Sequence, residues 1–226
     1  MLTFTTTDKL AAKNGVKILC YGKAGVGKTV LCSTAPRPVI LSVEGGTLSL
    51  RQVEIPVIVI RNLADLYEAY SWCQNSDEAS AFDTVCLDSL SEIAEVVLTT
   101  AKGINKDPRK AYGEMLDQML TLVKAFRDLP GKHVYMSAKM EYVKDEASGV
   151  CKYGPSMPGQ KLGPSLPYLF DEVFQLGVGQ AQDGKKFRFL QTEADYQYEA
   201  KDRSGTLAPT EYPDLSAIIQ KVTGGK

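Results

Sequence analysis

The sequence predicts an α/β protein: a mostly parallel sheet flanked by helices, with antiparallel strands near the C-terminus. Three observations predict it. Short β-branched runs alternate with helical stretches up to about residue 140. The first run feeds a glycine-rich turn and then a helical stretch, as a βαβ unit requires. Beyond residue 170 the pattern becomes short alternating strands around Asp183-Gly184, a hairpin turn signal.

Taken in order, Val16–Tyr21, Pro38–Val43, Val57–Ile60, Thr84–Leu87 and His133–Ser137 are five apolar runs that read as buried strands. Leu63–Cys73 has apolar residues at helical spacing, Leu90–Ala101 follows the fourth strand, and Tyr112–Leu129 is the clearest helix. It places Tyr112, Leu116, Met119, Leu120, Val123 and Phe126 on one face. Met115, Met119 and Trp72 read as core filler. Residues 141–165 hold Gly149, Gly154, Pro155, Pro158, Gly159, Gly163 and Pro164, and predict a long functional loop. Val173–Leu176, Phe187–Leu190 and Tyr196–Ala200 follow as antiparallel strands, and Leu215–Val222 as a closing helix. Without an internal repeat or a linker, the expected organisation is one domain over residues 1–226, with residues 1–14 as an N-terminal extension.

Composition excludes several classes. With 226 residues, 44% apolar and 23% charged, the chain is not of the disordered type. Its 26 Lys+Arg against 27 Asp+Glu exclude bulk electrostatic capture of nucleic acid, so any such contact is a local patch. No run approaches the ~20 apolar residues of a membrane span, and the start lacks a secretory apolar stretch, so a cytoplasmic protein without a membrane partner is expected. The five cysteines are dispersed, which argues against a disulfide framework; Cys20 and Cys86 lie in apolar runs. A single histidine, His133, leaves no basis for a His-based metal site or a His-dependent triad.

Gly22-Lys23-Ala24-Gly25-Val26-Gly27-Lys28-Thr29 matches G-x-x-x-x-G-K-[ST], and Val30 continues into the helix. The glycines permit a tight loop whose N–H groups converge on phosphate oxygens, assisted by the helix N-terminus. Lys28 is expected on the β/γ-phosphates and the Thr29 hydroxyl on Mg²⁺. Asp88, ending the fourth strand, is the expected acid for the metal; the alternative is that it caps the following helix. Ser89 occupies the place where many motor-type ATPases carry a Glu. Glu44, leaving the second strand into Gly45-Gly46, is the candidate that orients water, the alternative being a solvated turn residue. No Asn-Lys-x-Asp guanine reader is present, which favours ATP.

On these residues the chain resembles the RecA-like P-loop ATPase core. Within it, the chain is similar to the AAA-type phage nucleotide-binding proteins that include the Sak-type single-strand annealing proteins. The markers are GKAGVGKT, LSVEGG, CLDSLSEI, Ala111-Tyr112-Gly113 and Ala200-Lys201-Asp202-Arg203-Ser204-Gly205. The resemblance implies an oligomeric ATPase of phage recombination in the bacterial host cytoplasm, acting on single-stranded DNA beside a single-stranded DNA-binding protein. It also implies that Lys201 and Arg203 reach a neighbouring subunit's γ-phosphate; Lys-x-Arg by itself is a weak pattern, and the alternative is an ordinary charged turn. Where recombinases carry a Gln sensor this chain reads Ser137-Ala138-Lys139, so Ser137 or Lys139 takes that place. The extra terminal domains of full recombinases are missing, which favours annealing over strand exchange.

Two segments are candidate DNA contacts: Lys102, Lys106, Arg109 and Lys110 between two helices, and Lys144, Lys152, Tyr153 and Lys161 in the 141–165 stretch. Cations tracking phosphates beside a stacking aromatic suit sequence-independent single-strand binding. The alternative is a solvated lysine-bearing surface. Three other functions fit the same motifs: a nucleotide-gated binding module without turnover, a helicase-loader-type ATPase, and a phosphotransferase acting on a protein partner.

Overall fold

The computed structural model describes residues 4–6, 14–144 and 149–224. β1 (Lys17–Tyr21), β2 (Pro38–Ser42), β3 (Val57–Val59), β4 (Thr84–Asp88) and β5 (His133–Lys144) pair in parallel. β6 (Cys151–Ser156) folds back on β5, and β7 (Glu172–Gln180) joins β1 in parallel on its other side. β8 (Lys186–Gln191), β9 (Lys201–Asp202) and β10 (Thr210–Glu211) add antiparallel edges. The order is β10-β8-β7-β1-β5-β4-β2-β3, with β6 on β5 and β9 on β7. This is the mixed, mostly parallel sheet with antiparallel strands near the C-terminus that the sequence predicts.

Both faces are covered, which is why the central strands read as unbroken apolar runs. Leu19, Tyr21, Val39, Leu41, Val85, Leu87, Val134 and Met136 face one core. That core is closed by α2 (Leu63–Asn75), α3 (Leu90–Ile104), α4 (Pro108–Arg127) and α5 (Leu162–Ser165). Ile18, Cys20, Ile40, Cys86 and Tyr135 face the other, under α1 (Lys28–Cys32) and α6 (Leu215–Val222). Burial pushes the Cys20 thiol up to about 12, so it stays a small neutral hydrophobe. Among the described residues no helix is long and apolar enough to cross a membrane.

Helix α4 starts earlier than its apolar pattern suggests. Pro108 fills its first position and the Asp107 carboxylate accepts from the Arg109 N–H at 2.9 Å, an N-cap the pattern ignores. Its buried face is Ala111, Met115, Met119, Leu122, Val123 and Phe126; Tyr112, expected on that face, is half out in solvent.

Two expectations are corrected. The stretch 141–165 is not a loop throughout. β5 runs on past Ala138, where β1 ends, and pairs Lys139–Lys144 with β6 from Ser156 back to Cys151. Gly154 and Pro155 punctuate the sequence like a loop but sit within β6 near its end. The intervening residues 145–148 lie outside the described residues, as do 1–3 and 7–13 of the expected N-terminal extension. Tyr196–Ala200 does not form an antiparallel strand either. Gln197 and Glu199 instead bracket Tyr153 of β6: the Tyr153 N–H donates to the Gln197 carbonyl at 2.6 Å and the Glu199 N–H to the Tyr153 carbonyl at 3.0 Å. The antiparallel strand begins at Lys201.

Glu172 opens β7 opposite Asp202, fully buried, with Oε2 unpartnered among the described residues. Burial, then the Asp202 charge, pushes its pKa up to about 8, against a Ser204 N–H that favours the carboxylate. The native chain therefore holds a proton that the unfolded chain releases near its ordinary 4.5. Stability from this group is complete below that value and is lost as pH rises through about 8. Glu172→Gln, an amide copy of the neutral acid, should flatten the fall in unfolding free energy across that window, measured by urea denaturation at successive pH values.

Candidate nucleotide site

The loop from Gly22 to Gly27 leaves the carboxyl end of β1, between the corresponding ends of β5 and β7. Its shape requires glycine at particular places. Gly27 has φ 111°, in the left-handed region, and a Cβ on Gly22 would lie 2.9 Å from the Leu176 carbonyl oxygen. Lys28 folds back across the loop, its Nζ donating to the Gly22 and Lys23 carbonyls at 3.0 and 3.1 Å. Burial holds its pKa below the ordinary lysine value, while the nearby Cys20, Asp88 and Glu44 oppose that shift. The buried Tyr135 hydroxyl fixes the first turn of α1 by donating to the Lys28 carbonyl at 3.0 Å.

Asp88 ends β4 almost fully buried, and its carboxylate accepts two hydroxyls. Thr29 Oγ1 donates to Oδ2 at 2.6 Å and Ser137 Oγ donates to Oδ1. The Asp88 side chain is therefore committed to the loop; the N-cap position of α3 belongs to Ser89. A hydroxyl and a carboxylate are hard oxygen donors suited to Mg²⁺. Among the described residues no three His, Cys, Asp or Glu side chains cluster as metal ligands. The Thr29–Asp88 pair thus fits a magnesium ion that takes its remaining ligands from phosphates and water.

Glu44 leaves β2, which pairs with β4 through Ser42 and Asp88, so both acids stand at one sheet edge. Its exposed carboxylate accepts from the buried Ser89 hydroxyl at 2.8 Å. Ser89, which stands in the sequence where a Glu is absent and could cap the next helix, is the residue that holds Glu44. Of the two sensor candidates, Ser137 touches Asp88, whereas the Lys139 ammonium pairs with Glu92 and its N–H donates to Ser91 Oγ at 2.9 Å. A residue missed by the sequence reading also reaches this site: Arg188 of β8 donates from Nε to the Val26 carbonyl at 2.6 Å. Only the pairing of β8 with β7, itself beside β1, brings it there.

Lys201 and Arg203 lie at the opposite, amino end of the sheet. Lys201 pairs with Val173 at the start of β7, and its Nζ donates to the Pro167 and Phe170 carbonyls, each at 2.5 Å. Burial lowers its pKa. Arg203 is exposed and paired with Asp171 at 2.8 Å.

The two candidate DNA segments are separate. Lys102, Lys106, Arg109 and Lys110 are exposed around the α3–α4 turn, Lys102 lying 5.5 Å over the Tyr112 ring. In the β5–β6 hairpin, register puts Tyr142 opposite Tyr153, and Lys144 on their face. Tyr198 extends the row, so that three rings stand side by side with centroids 4.8 and 5.3 Å apart. Pleating sends Lys152 to the other face, 4.0 Å from Glu199, and Lys161 is exposed beyond β6. The row is tied to the phosphate loop's strand, because the Tyr21 hydroxyl lies 2.9 Å from the Tyr153 carbonyl and 2.6 Å from that of Glu199.

A family model described as AAA domain, AAA_24, matches residues 14–204. Among solved structures, the KaiC-like protein of the hyperthermophilic archaeon Pyrococcus horikoshii OT3 is similar at 15% identity and a TM-score of 0.45, over 78% of this chain and 77% of that one. No curated protein matches.

Removing the Ser137 hydroxyl leaves Oδ1 of Asp88 without its donor. Ser137→Ala should raise the Mg²⁺ concentration needed for half-maximal nucleotide binding by about tenfold, read from magnesium titrations with a fluorescent ATP analogue.

Proposed function

This chain belongs to the AAA domain family, and from that premise we propose that it is an ATP-hydrolysing protein of phage DNA recombination. In this reading it works as an oligomer on single-stranded DNA, in the host cytoplasm beside a single-stranded DNA-binding protein, and promotes annealing. Residues 1–226 act as one ATPase unit. The observation that carries the hydrolytic part is the pair of acids from adjoining strands at the loop: Asp88 held by Thr29 and Ser137, Glu44 held by Ser89.

The loop amides and Lys28 bind the polyphosphate, and Lys28 exchanges its carbonyl partners for phosphate oxygens. Thr29 and Asp88 hold Mg²⁺, which supplies charge neutralisation across the phosphates when bound. Glu44 orients a water and accepts its proton; its exposure leaves Oε2 free to do so while Ser89 fixes Oε1. Water, rather than a protein hydroxyl, is the acceptor this arrangement favours. Arg203 of a neighbouring subunit, with Lys201 behind it, neutralises charge developing on the transferred phosphoryl group.

Support for single-stranded DNA comes from the row Tyr142, Tyr153 and Tyr198 with Lys144 on the same face. Stacking surfaces accept any base, and a cation beside them follows the phosphates. The remaining cations, Lys152, Lys161 and the α3–α4 group, serve as outer backbone contacts.

An ATPase assay with and without single-stranded DNA, across a protein concentration series, tests enzyme, ligand and assembly together. Turnover should rise with DNA and with concentration, fall at least about a hundredfold in Glu44→Gln, and lose its DNA stimulation in Tyr142→Ala. Equal turnover in wild type and Glu44→Gln would leave a nucleotide-gated binding module, and label passing from ATP to a protein would indicate a phosphotransferase.

Mixing Lys28→Ala with Arg203→Ala subunits tests action across an interface. Partial recovery of activity is expected, since each variant supplies what the other lacks; additive inactivity sinks the trans role.

A further inference from the structure

Arg188 stands outside every residue set assigned above to phosphate, metal or DNA. Alternation along β8 sends its side chain to the face of Leu190, which is buried with Val26, Leu31 and Leu176 beneath α1. Phe187 and Phe189 take the other face, opposite Gly179 and Gly177. The β7–β8 hairpin carries Arg188 beyond the end of the central strand. Gln175 of β7 pairs with Tyr21, the last residue of β1, and the partner of Arg188 is Val178, further along β7.

From there the side chain returns to the phosphate loop. Besides the bond from Nε to the Val26 carbonyl, Nε lies 3.2 Å from the place a Cβ on Gly27 would take. The last glycine of the loop is thus required by its φ, and the guanidinium packs close against it. Among the described residues no carboxylate pairs with Arg188, as none does with Arg51, Arg61 or Arg109, whereas Arg37, Arg127 and Arg203 each pair with an aspartate. The only hydrogen bond of Arg188 among the described residues uses Nε, which leaves both Nη groups uncommitted. An exposed guanidinium held at the loop by one edge, with its other donors uncommitted, is available to an anion that enters there.

We propose that Arg188 is a nucleotide-binding residue: with Nε fixed on the Val26 carbonyl, its Nη groups donate to phosphate oxygens of the nucleoside triphosphate held by the same chain. The inference rests on the nucleotide-binding reading of the Gly22–Thr29 loop and adds to it a second cation, delivered by a β-hairpin. A planar guanidinium can hold a carbonyl with one edge and a phosphate with another; an ammonium on a flexible stem keeps the charge without the fork.

The test is fluorescence titration of N-methylanthraniloyl-ATP with magnesium into wild type, Arg188→Met and Arg188→Lys at two salt concentrations, with thermal melting of each protein before nucleotide is added. Arg188→Met should bind about tenfold more weakly and show a shallower salt dependence, Arg188→Lys should recover part of the loss, and all three should melt alike. Wild-type affinity in Arg188→Met overturns the proposal. So does an equal loss in both variants together with a lowered melting temperature, the mark of a clamp on the loop alone. Failure of the wild type itself to bind the analogue defeats the loop reading, and this inference with it, and is told apart because it needs no variant.

Discussion

Asp88 accepts a hydroxyl on each carboxylate oxygen, and the rest of the site is arranged around that fact. Thr29 comes from the helix after β1 and Ser137 from β5, so one buried side chain ties β4 to both neighbouring parts of the fold. A carboxylate at 3% exposure is costly unless it is fully hydrogen-bonded or meets a cation. Here the hydroxyls meet part of that cost and leave the oxygens at the sheet edge where the phosphate loop opens. Were magnesium held here, Asp88 would already be oriented for it by these hydroxyls, and the Thr29 hydroxyl would serve as a further oxygen ligand.

The second constraint is that the sheet is buried on both faces and open only at its ends. Chemistry is thereby confined to residues just beyond the strands: Glu44 after β2, Asp88 and Ser89 at the end of β4, the loop after β1. Tyr21 links two of these regions. Its ring is core, while its hydroxyl reaches the Tyr153 and Glu199 carbonyls, so the strand that carries the loop and the hairpin that carries the tyrosine row share one polar anchor.

The parallel strands and the loop were legible because each is local: an apolar run, a spacing of glycines, an acid at a strand end. Ser89 was not, because its role depends on β2 lying beside β4, which no stretch of sequence announces. Arg188 was hidden for the same reason at greater distance, since it reaches the loop through strand pairing and pleat alone. The β5–β6 hairpin was misread as loop because Gly154 and Pro155 outweigh the alternation of Met140, Tyr142 and Lys144 in any local count. Tyr198 joined the row because Gln197 and Glu199 spend their backbone bonds on β6 rather than forming the antiparallel strand their pattern suggests.

Lys201 and Arg203, read together as a basic pair, differ in what it costs to move them. The Arg203–Asp171 pair is largely open to solvent, with side chains 57% and 32% exposed, and such a pair is worth about 0–1 kcal/mol. Exchanging Asp171 for a phosphate oxygen of another subunit is therefore nearly free on the arginine's side. Lys201 instead satisfies two carbonyls of the turn before β7, and releasing it leaves those acceptors short of a donor, at about 1–3 kcal/mol each where water cannot replace it. Under the proposed reading the division of labour follows: Arg203 is the cation that travels to the neighbouring site, and Lys201 is the anchor that holds its strand against β7 while it does so.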